Sequence, residues 1–215
     1  MKHLAIIADG NRRWATSNGL PKEAGHAQGL VAIEKCCLWA IQNKIPFLTF
    51  FCFSTENWGR AEVEVNNIMN LARHYFDTQK EWYINNDIRV RFIGRRDRLA
   101  SDIVEKCYEL EKETINCSSL TLTICADYGG RDEIIRAIQS GATTEEEVTS
   151  VLTKEVPEPD VIFRTGGRKR LSNFLLWEGA YAELYFSDTL FPALEEKELD
   201  SILHDYSECI RNFGK

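Results

Sequence analysis

The sequence predicts an α/β protein of one domain, with a six-stranded, mostly parallel sheet flanked by helices. Three observations predict it. Short β-branched and aromatic runs alternate with stretches of helical periodicity, and such alternation requires crossovers and hence parallel strands. No repeat, low-complexity tract or Pro/Ser-rich linker marks a boundary within the 215 residues, a length that one large domain accommodates. Most of the predicted strand ends run into polar segments containing glycine and arginine, which is where ligands sit in sheets of this kind.

In chain order, the apolar run HLAIIA (3–8) gives the first strand and breaks at D-G-N. Ala27, Leu30, Val31, Leu38 and Ile41 then recur at helical spacing and predict a helix with that face inward. The aromatic run FLTFFCF (47–53) is the second strand, and Val65, Ile68, Met69, Ala72 and Phe76 form the next helical face. IRVRFIG (88–94) is followed by the stripe Leu99, Ile103, Cys107 and Leu110, and LTLTICA (120–126) is the fourth strand. DVIFR (160–164) and AELYFS (182–187) complete the sheet, and Leu199, Ile202, Leu203, Tyr206, Ile210 and Phe213 make the closing helical stripe.

Composition narrows the function. Hydrophobic residues make up 44% and charged residues 27% of the chain, ordinary values for a soluble globular protein. No run of about 18 apolar residues is present, and the N-terminus turns polar too soon for a signal peptide, so the expected location is the cytoplasm. A net charge of −7 argues against a nucleic-acid surface. The seven cysteines lack a C-x-x-C pair or a histidine at ligand spacing, which argues against disulfides and structural zinc and predicts buried thiols.

Against that acidic background, the strand ends read DGN, STENWGR, DYGGR and RTGGRKR. Glycines there allow close backbone approach, helix starts offer free N–H groups, and arginine grips phosphate through two nitrogens. Arg164, Arg168, Lys169 and Arg170 place four cations in seven residues. Asp9 would repel a phosphate unless a cation lay between them. Mg2+ suits that place, because it takes one or two carboxylates and fills its shell with water and substrate phosphate. The dinucleotide pattern G-x-G-x-x-G is missing from the first strand-to-helix turn, and neither a P-loop nor a D-D-x-x-D cluster occurs.

Together, IIADGNRRWA, AGHAQG, FCFSTENWGR, ADYGGRDEI and RTGGRKRLSNFLLWEGAYAELYF resemble the cis-prenyltransferases, the undecaprenyl diphosphate synthase family, over residues 2–214. The resemblance implies that family's fold as a single domain spanning 1–215, with Mg2+ as cofactor and a homodimeric state. It further implies condensation of isopentenyl diphosphate with an allylic diphosphate, such as farnesyl or geranyl diphosphate, to an undecaprenyl-like cis-prenyl product.

By position, Asp9 matches the catalytic, metal-binding aspartate, and Gly10, Asn11, Arg12, Arg13 and Trp14 match the cradle for the allylic diphosphate, with His26 nearby. Asn57 and Trp58, with Ser54, Thr55, Glu56 and Arg60, match a loop credited with proton removal and closure over substrates. Arg164, Arg170, Leu171 and Ser172 match the isopentenyl diphosphate site, and Glu183, in the partner-facing YAELYF segment, a second Mg2+ contact. Ile68, Met69, Ala72, Tyr75 and Phe76, facing Phe51 and Ile124, are expected to wall a tunnel for the growing chain, with Leu120 as its floor. A greasy product implies peripheral membrane contact.

The sequence departs from the family at Lys22, where arginine is usual, at Arg168 in place of glutamate, and at Ala61 in place of proline. Three rival readings stand beside the first: a member making short or allylic–allylic coupled products, a catalytically silent partner subunit, and a nucleotide-binding regulatory domain. Retention of Asp9, Arg13, Asn57, Arg60 and Glu183 argues against the silent subunit.

Overall fold

The computed structural model describes residues 1–153 and 157–209. All six predicted strands form: β1 (His3–Ile7), β2 (Phe47–Ser54), β3 (Ile88–Ile93), β4 (Leu120–Tyr128), β5 (Val161–Arg164) and β6 (Glu183–Phe186). They make one sheet in the order β3-β4-β2-β1-β5-β6, and every neighbouring pair is parallel. The helices are α1 (Asn11–Ser17), α2 (Lys22–Gln42), α3 (Glu62–Asn85), α4 (Ser101–Glu113), α5 (Gly130–Gln139), α6 (Glu145–Leu152) and α7 (Glu196–Glu208), with short 3-10 turns at Thr55–Gly59 and Phe191–Ala193.

Strand β1 is buried along its whole length, as a central parallel strand covered on both faces should be. Its side chains alternate between two packed layers. Leu4 and Ile6 join the larger core with α2, α7 and β2, whereas Ala5 and Ile7 pack with Tyr128, Ile162, Phe174 and Leu175. The chain builds the β2–β4 side of β1 first and then returns to its other flank with β5. A crevice at the carboxyl ends of the strands follows from such a reversal of direction. Strand β2 also changes register between Phe51 and Phe53, just before its carboxyl end, and bulges of this kind re-aim side chains beside sites.

The face predicted for α2 is corrected. Val31 and Leu38 are 40% and 38% exposed, while Gly25, Gly29, Ala32, Ile33, Cys36, Cys37, Trp39 and Ala40 are buried. This helix is apolar on nearly every side, so spacing alone does not choose its inner face. Close packing chooses it: a Cβ on Gly25 would lie 2.0 Å from the Asn11 carbonyl oxygen, and one on Gly29 2.5 Å from Asn11 Oδ1. The glycines of AGHAQG thus form a notch that receives the start of α1.

The other helical faces pack as expected where they are described. Val65, Ile103, Cys107, Leu110, Leu199 and Ile202 are buried, and Leu203 and Tyr206 pack against the core. Ile210 and Phe213 lie outside the described residues. Cys36, Cys37, Cys107 and Cys125 are buried free thiols, but Cys52 is exposed and Cys117 and Cys209 are intermediate, which corrects the reading of all seven as buried. No described helix is long and apolar enough to cross a membrane.

Candidate active site

A cavity of about 520 Å³ opens at the carboxyl ends of the strands and runs down between the sheet and helices α2, α3 and α4. Its mouth is polar, with Asp9, Asn11, His26, Ser54, Asn57, Arg60, Arg164, Arg170 and Ser172. Its depth is apolar, and the expected walls Ile68, Met69, Ala72, Tyr75, Phe76, Phe51 and Ile124 all line it. Leu120 does not. The lining stops at Tyr83, Val90 and Leu110, and Leu120, level with Ile88 two residues below Val90, is fully buried in packed core. The floor assigned to Leu120 is therefore corrected: strand position gives depth, but Leu120 turns into solid core.

At the mouth, Asp9 is held from both sides. Arg164 Nη2 donates to its Oδ2 at 2.8 Å and Arg13 Nη2 to its Oδ1 at 3.0 Å. Burial alone would raise the Asp9 pKa, but the hydrogen bonds from Arg164 and Arg13 outweigh it and hold the carboxyl below its usual value. The Asp9 backbone is fixed too, since its N–H donates to Thr165 Oγ1 (3.1 Å) and its carbonyl accepts from the same hydroxyl (2.8 Å). Gly166 has φ +81° and passes so close that a Cβ would sit 2.6 Å from Arg13 Nη2, so no larger residue fits beside the pair.

Arg164 also donates through Nη1 to the Arg170 carbonyl (2.5 Å) and to Ser172 Oγ (2.6 Å), shaping the loop after β5 around itself. Ser172 and Asn173 take left-handed backbone conformations there. On the opposite rim, Glu64 gathers two arginines: Arg12 Nη1 reaches both carboxylate oxygens at 3.0 Å and Arg60 Nη1 reaches Oε1 at 3.0 Å. Burial, with the charges of Arg60 and Arg12, depresses the His26 pKa against the opposing pull of Glu64 and Glu23. The neutral form of His26 is thereby favoured. Its Nε2, Asn11 Oδ1 and Arg164 Nε are buried without a hydrogen-bond partner, and such groups call for a polar guest.

The remaining predicted residues surround this mouth in different ways. Gly10, at φ +114°, precedes α1 and lies against Leu190. Trp14 lies within α1, and Lys22 begins α2 and lines an adjoining groove that shares His26 and Ile68 with the cavity. Thr55 lies close to Gly129, Glu56 accepts from Asn173 Nδ2 at 2.9 Å, and Leu171 packs on the second core layer. Asn57 Oδ1 accepts the Ser54 N–H at 3.2 Å. Arg168 and Lys169 are exposed.

Two of the predicted residues stand away from the mouth. Trp58 does not line the cavity: its Nε1 donates to Asp127 Oδ1 (2.9 Å), its ring packs edge-on to Phe53, and Arg98 pairs with the same carboxylate. The buried acid ties Trp58 to the sheet instead of leaving it over the site. Glu183 opens β6 opposite Val161, whereas Arg164 at the Asp9 end pairs with Phe186. Three strand residues, roughly 10 Å, separate those levels, so within one chain Glu183 stands apart from Asp9, and a contact made from its partner-facing segment lies outside what a single chain shows.

Sequence reasoning missed Glu64, Thr165, Asn173 and the Gly25/Gly29 notch. Glu64 carried a signal, lying four residues after Arg60 at the start of a helix, where such pairs meet. Thr165 and Asn173 carried none, because their partners Asp9 and Glu56 are remote in sequence.

The chain is similar to known proteins along its length. Residues 7–214 match the family described as "Putative undecaprenyl diphosphate synthase". The chain is 45% identical to an isoprenyl transferase of Aquifex pyrophilus, covering 100% of this chain and 96% of that one. It is 39% identical to one from Fusobacterium nucleatum, covering 99% and 95%. Among solved structures, a probable undecaprenyl diphosphate synthase from Campylobacter jejuni superposes with a TM-score of 0.86 at 37% identity, over 100% of this chain and 99% of that one. Lavandulyl diphosphate synthase from Lavandula x intermedia, in complex with dimethylallyl diphosphate, superposes at 0.94 with 28% identity, over 100% and 98%.

Proposed function

The chain belongs to the undecaprenyl diphosphate synthase family and is a prenyl-transferring enzyme, and from that premise we propose that it is a Mg2+-dependent cis-prenyltransferase. It joins isopentenyl diphosphate to an allylic diphosphate and extends the product, acting as one domain over its whole length. The observation that carries this reading is the carboxylate of Asp9 clamped between Arg13 and Arg164 at the mouth of a deep apolar cavity. Charge at the mouth suits diphosphate, and the dry depth suits a hydrocarbon tail.

The donor set fits magnesium. Asp9 is ionised and retains lone pairs beyond its two arginine bonds, and no cluster of three or more His, Cys, Asp or Glu among the described residues could cage a metal without substrate. That agrees with an ion held by one carboxylate, water and phosphate oxygens. When bound, magnesium would neutralise part of the charge on the departing diphosphate.

In the reaction the allylic carbon–oxygen bond breaks with its electron pair going to diphosphate, a carbon–carbon bond forms to the isopentenyl unit, and one proton leaves. Arg12, Arg13 and Arg60 face the charge that grows on the leaving group, while Arg164, Arg170 and Ser172 hold the isopentenyl diphosphate. Asn57, a neutral amide, is a poor base. With its oxygen fixed by Ser54 it orients the substrate, and a diphosphate oxygen or water takes the proton. The phenyl and aliphatic walls beneath exclude water from the electron-poor intermediate.

The open edge at β6, where Leu184 is 46% and Phe186 36% exposed, supports a homodimer joined there. Contact with a membrane surface would come through the lipid product. Likeness to the dimethylallyl diphosphate complex favours a second reading, in which the primer and product are short. Incubation with Mg2+, isopentenyl diphosphate and allylic primers of graded length, followed by product sizing, tests both. Multi-unit extension supports the first, a single condensation the second, and no incorporation from any primer overturns both.

A further inference from the structure

The apolar cavity contains one polar feature that the reaction does not use. Tyr83 OH donates to Tyr75 OH at 3.1 Å, and Tyr75 OH donates to Glu34 Oε1 at 3.3 Å. Tyr75 and Tyr83 come from α3 and both line the cavity, while Glu34 belongs to α2. The chain of hydroxyls therefore bridges the two helices that flank the passage.

Its depth follows from topology. Helix α3 begins at the mouth, just after Arg60, and ends close to the start of β3, at the amino end of the sheet. Tyr83 sits in its last turn, and helical side chains lean toward the N-terminus of their helix, which carries its hydroxyl up to Tyr75 two turns earlier. Val90 and Leu110 line the cavity at the same end. Below them the packing is closed, with Leu120 and Ile88 fully buried.

We propose that the Tyr83–Tyr75–Glu34 chain is a polar crossbar that terminates chain growth and so sets product length; this rests on the prenyl-transfer reading above. A hydrocarbon tail offers no hydrogen bond. To pass, it must part the two tyrosines and leave the hydroxyl of the buried Tyr83, with the partly buried Tyr75 hydroxyl and Glu34 carboxyl, without these partners, which costs free energy wherever water does not replace them. A tail that stops above the crossbar incurs no such penalty. The edge-to-face contacts of Tyr83 with Tyr75 and Trp82 hold the rings in place, so the stop is rigid as well as polar.

The test compares product-length distributions of wild type, Tyr75→Phe, Tyr83→Phe, Tyr83→Ala and Glu34→Gln, each with Mg2+, excess isopentenyl diphosphate and one allylic primer. The phenylalanine variants keep ring volume and fold, and remove only the hydroxyl. They are expected to shift the main product upward by at least one isoprene unit, and Tyr83→Ala by more. Glu34→Gln, which keeps an acceptor for Tyr75, is expected to stay closer to wild type than Tyr75→Phe does. An active wild type whose main product is the same in Tyr75→Phe and Tyr83→Phe overturns the crossbar alone, whatever Tyr83→Ala does. Failure of the wild type to incorporate any isopentenyl unit overturns the prenyl-transfer reading, and the crossbar with it.

Discussion

Arg164 and Asp9 form the hinge of the candidate active site: one guanidinium nitrogen grips the carboxylate at 2.8 Å while the other holds the Arg170 carbonyl and Ser172 hydroxyl. The residue is 4% exposed, so this fork is shielded from solvent screening. Asp9 thereby connects the end of β1 to the loop after β5, two segments more than 150 residues apart in sequence.

Arg164→Lys is expected to behave as a severe substitution. Lysine keeps the charge but cannot reach Asp9, the carbonyl and the hydroxyl together. Loss of one charge-stabilising donor costs about 10²–10³ in kcat, and turnover of isopentenyl diphosphate per folded enzyme should fall by that order, with a lower melting temperature because part-buried partners are left unpaired. Turnover within twofold of wild type would remove Arg164 from the machinery.

On the proposed reading, magnesium should bind weakly to the protein alone and tightly in the presence of diphosphate, because Asp9 would be the one carboxylate offered to it at this mouth. Calorimetric titration of Mg2+ with and without inorganic diphosphate checks this, alongside loss of turnover on chelation. Asp9→Asn should abolish the diphosphate-dependent component. Since the arginines hold the Asp9 pKa below its usual value, the carboxylate stays ionised through mildly acidic pH and its contribution is lost only as pH falls through that lowered value.

Glu64 gathers Arg12 and Arg60 on the opposite rim, and Glu64→Gln should loosen both. The pairs are partly exposed, with Arg12 at 47%, so their contribution to stability is small. The expected result is a several-fold rise in KM for the allylic diphosphate with a melting temperature within about a degree of wild type. An unchanged KM would leave Glu64 as a surface pair only.

The strands were legible because each is a short apolar run ended by a polar, glycine-containing break, and the site was legible because those breaks carry charges against an acidic background. Asp9, Arg13 and Arg164 could be grouped on that ground. The burial of α2 could not: its apolar residues surround the axis, and the choice of face depends on where Asn11 of another helix fits. The anchoring of Trp58 was not legible for a related reason, since its partner Asp127 lies on a distant strand. Leu120 shows that position along a strand fixes height but not which cavity, if any, a side chain meets.

The notch in α2 can be tested directly. Gly25→Ala places a Cβ 2.0 Å from backbone oxygen, where nothing flexible can yield, whereas Gly29→Ala meets the movable end of the Asn11 side chain at 2.5 Å. Overpacking of this kind costs about 1–3 kcal/mol. Gly25→Ala should therefore lower the denaturation midpoint more than Gly29→Ala, and Gly29→Ala should raise KM by displacing Asn11 from the mouth. Equal, negligible shifts would mean that α1 and α2 pack more loosely than described.

Away from the site, Glu133 and Glu178 are buried on the other side of the sheet, and Tyr128 OH donates to Glu133. Burial, with the nearby Glu178 charge, pushes the Glu133 pKa up to about 9. Unfolding restores an ordinary carboxyl, so the favourable state of this group is fully present below its unfolded value near 4.5 and is lost as pH rises toward 9. Glu133→Gln keeps an acceptor for Tyr128 and removes the titration. It should raise the melting temperature at pH 8 by a few degrees, at about 2–4 °C per kcal/mol for a chain of this size, and the gain should shrink as pH falls toward 4.5. A gain that is the same at both pH values would mean that side-chain packing, and not the buried charge, distinguishes the two proteins.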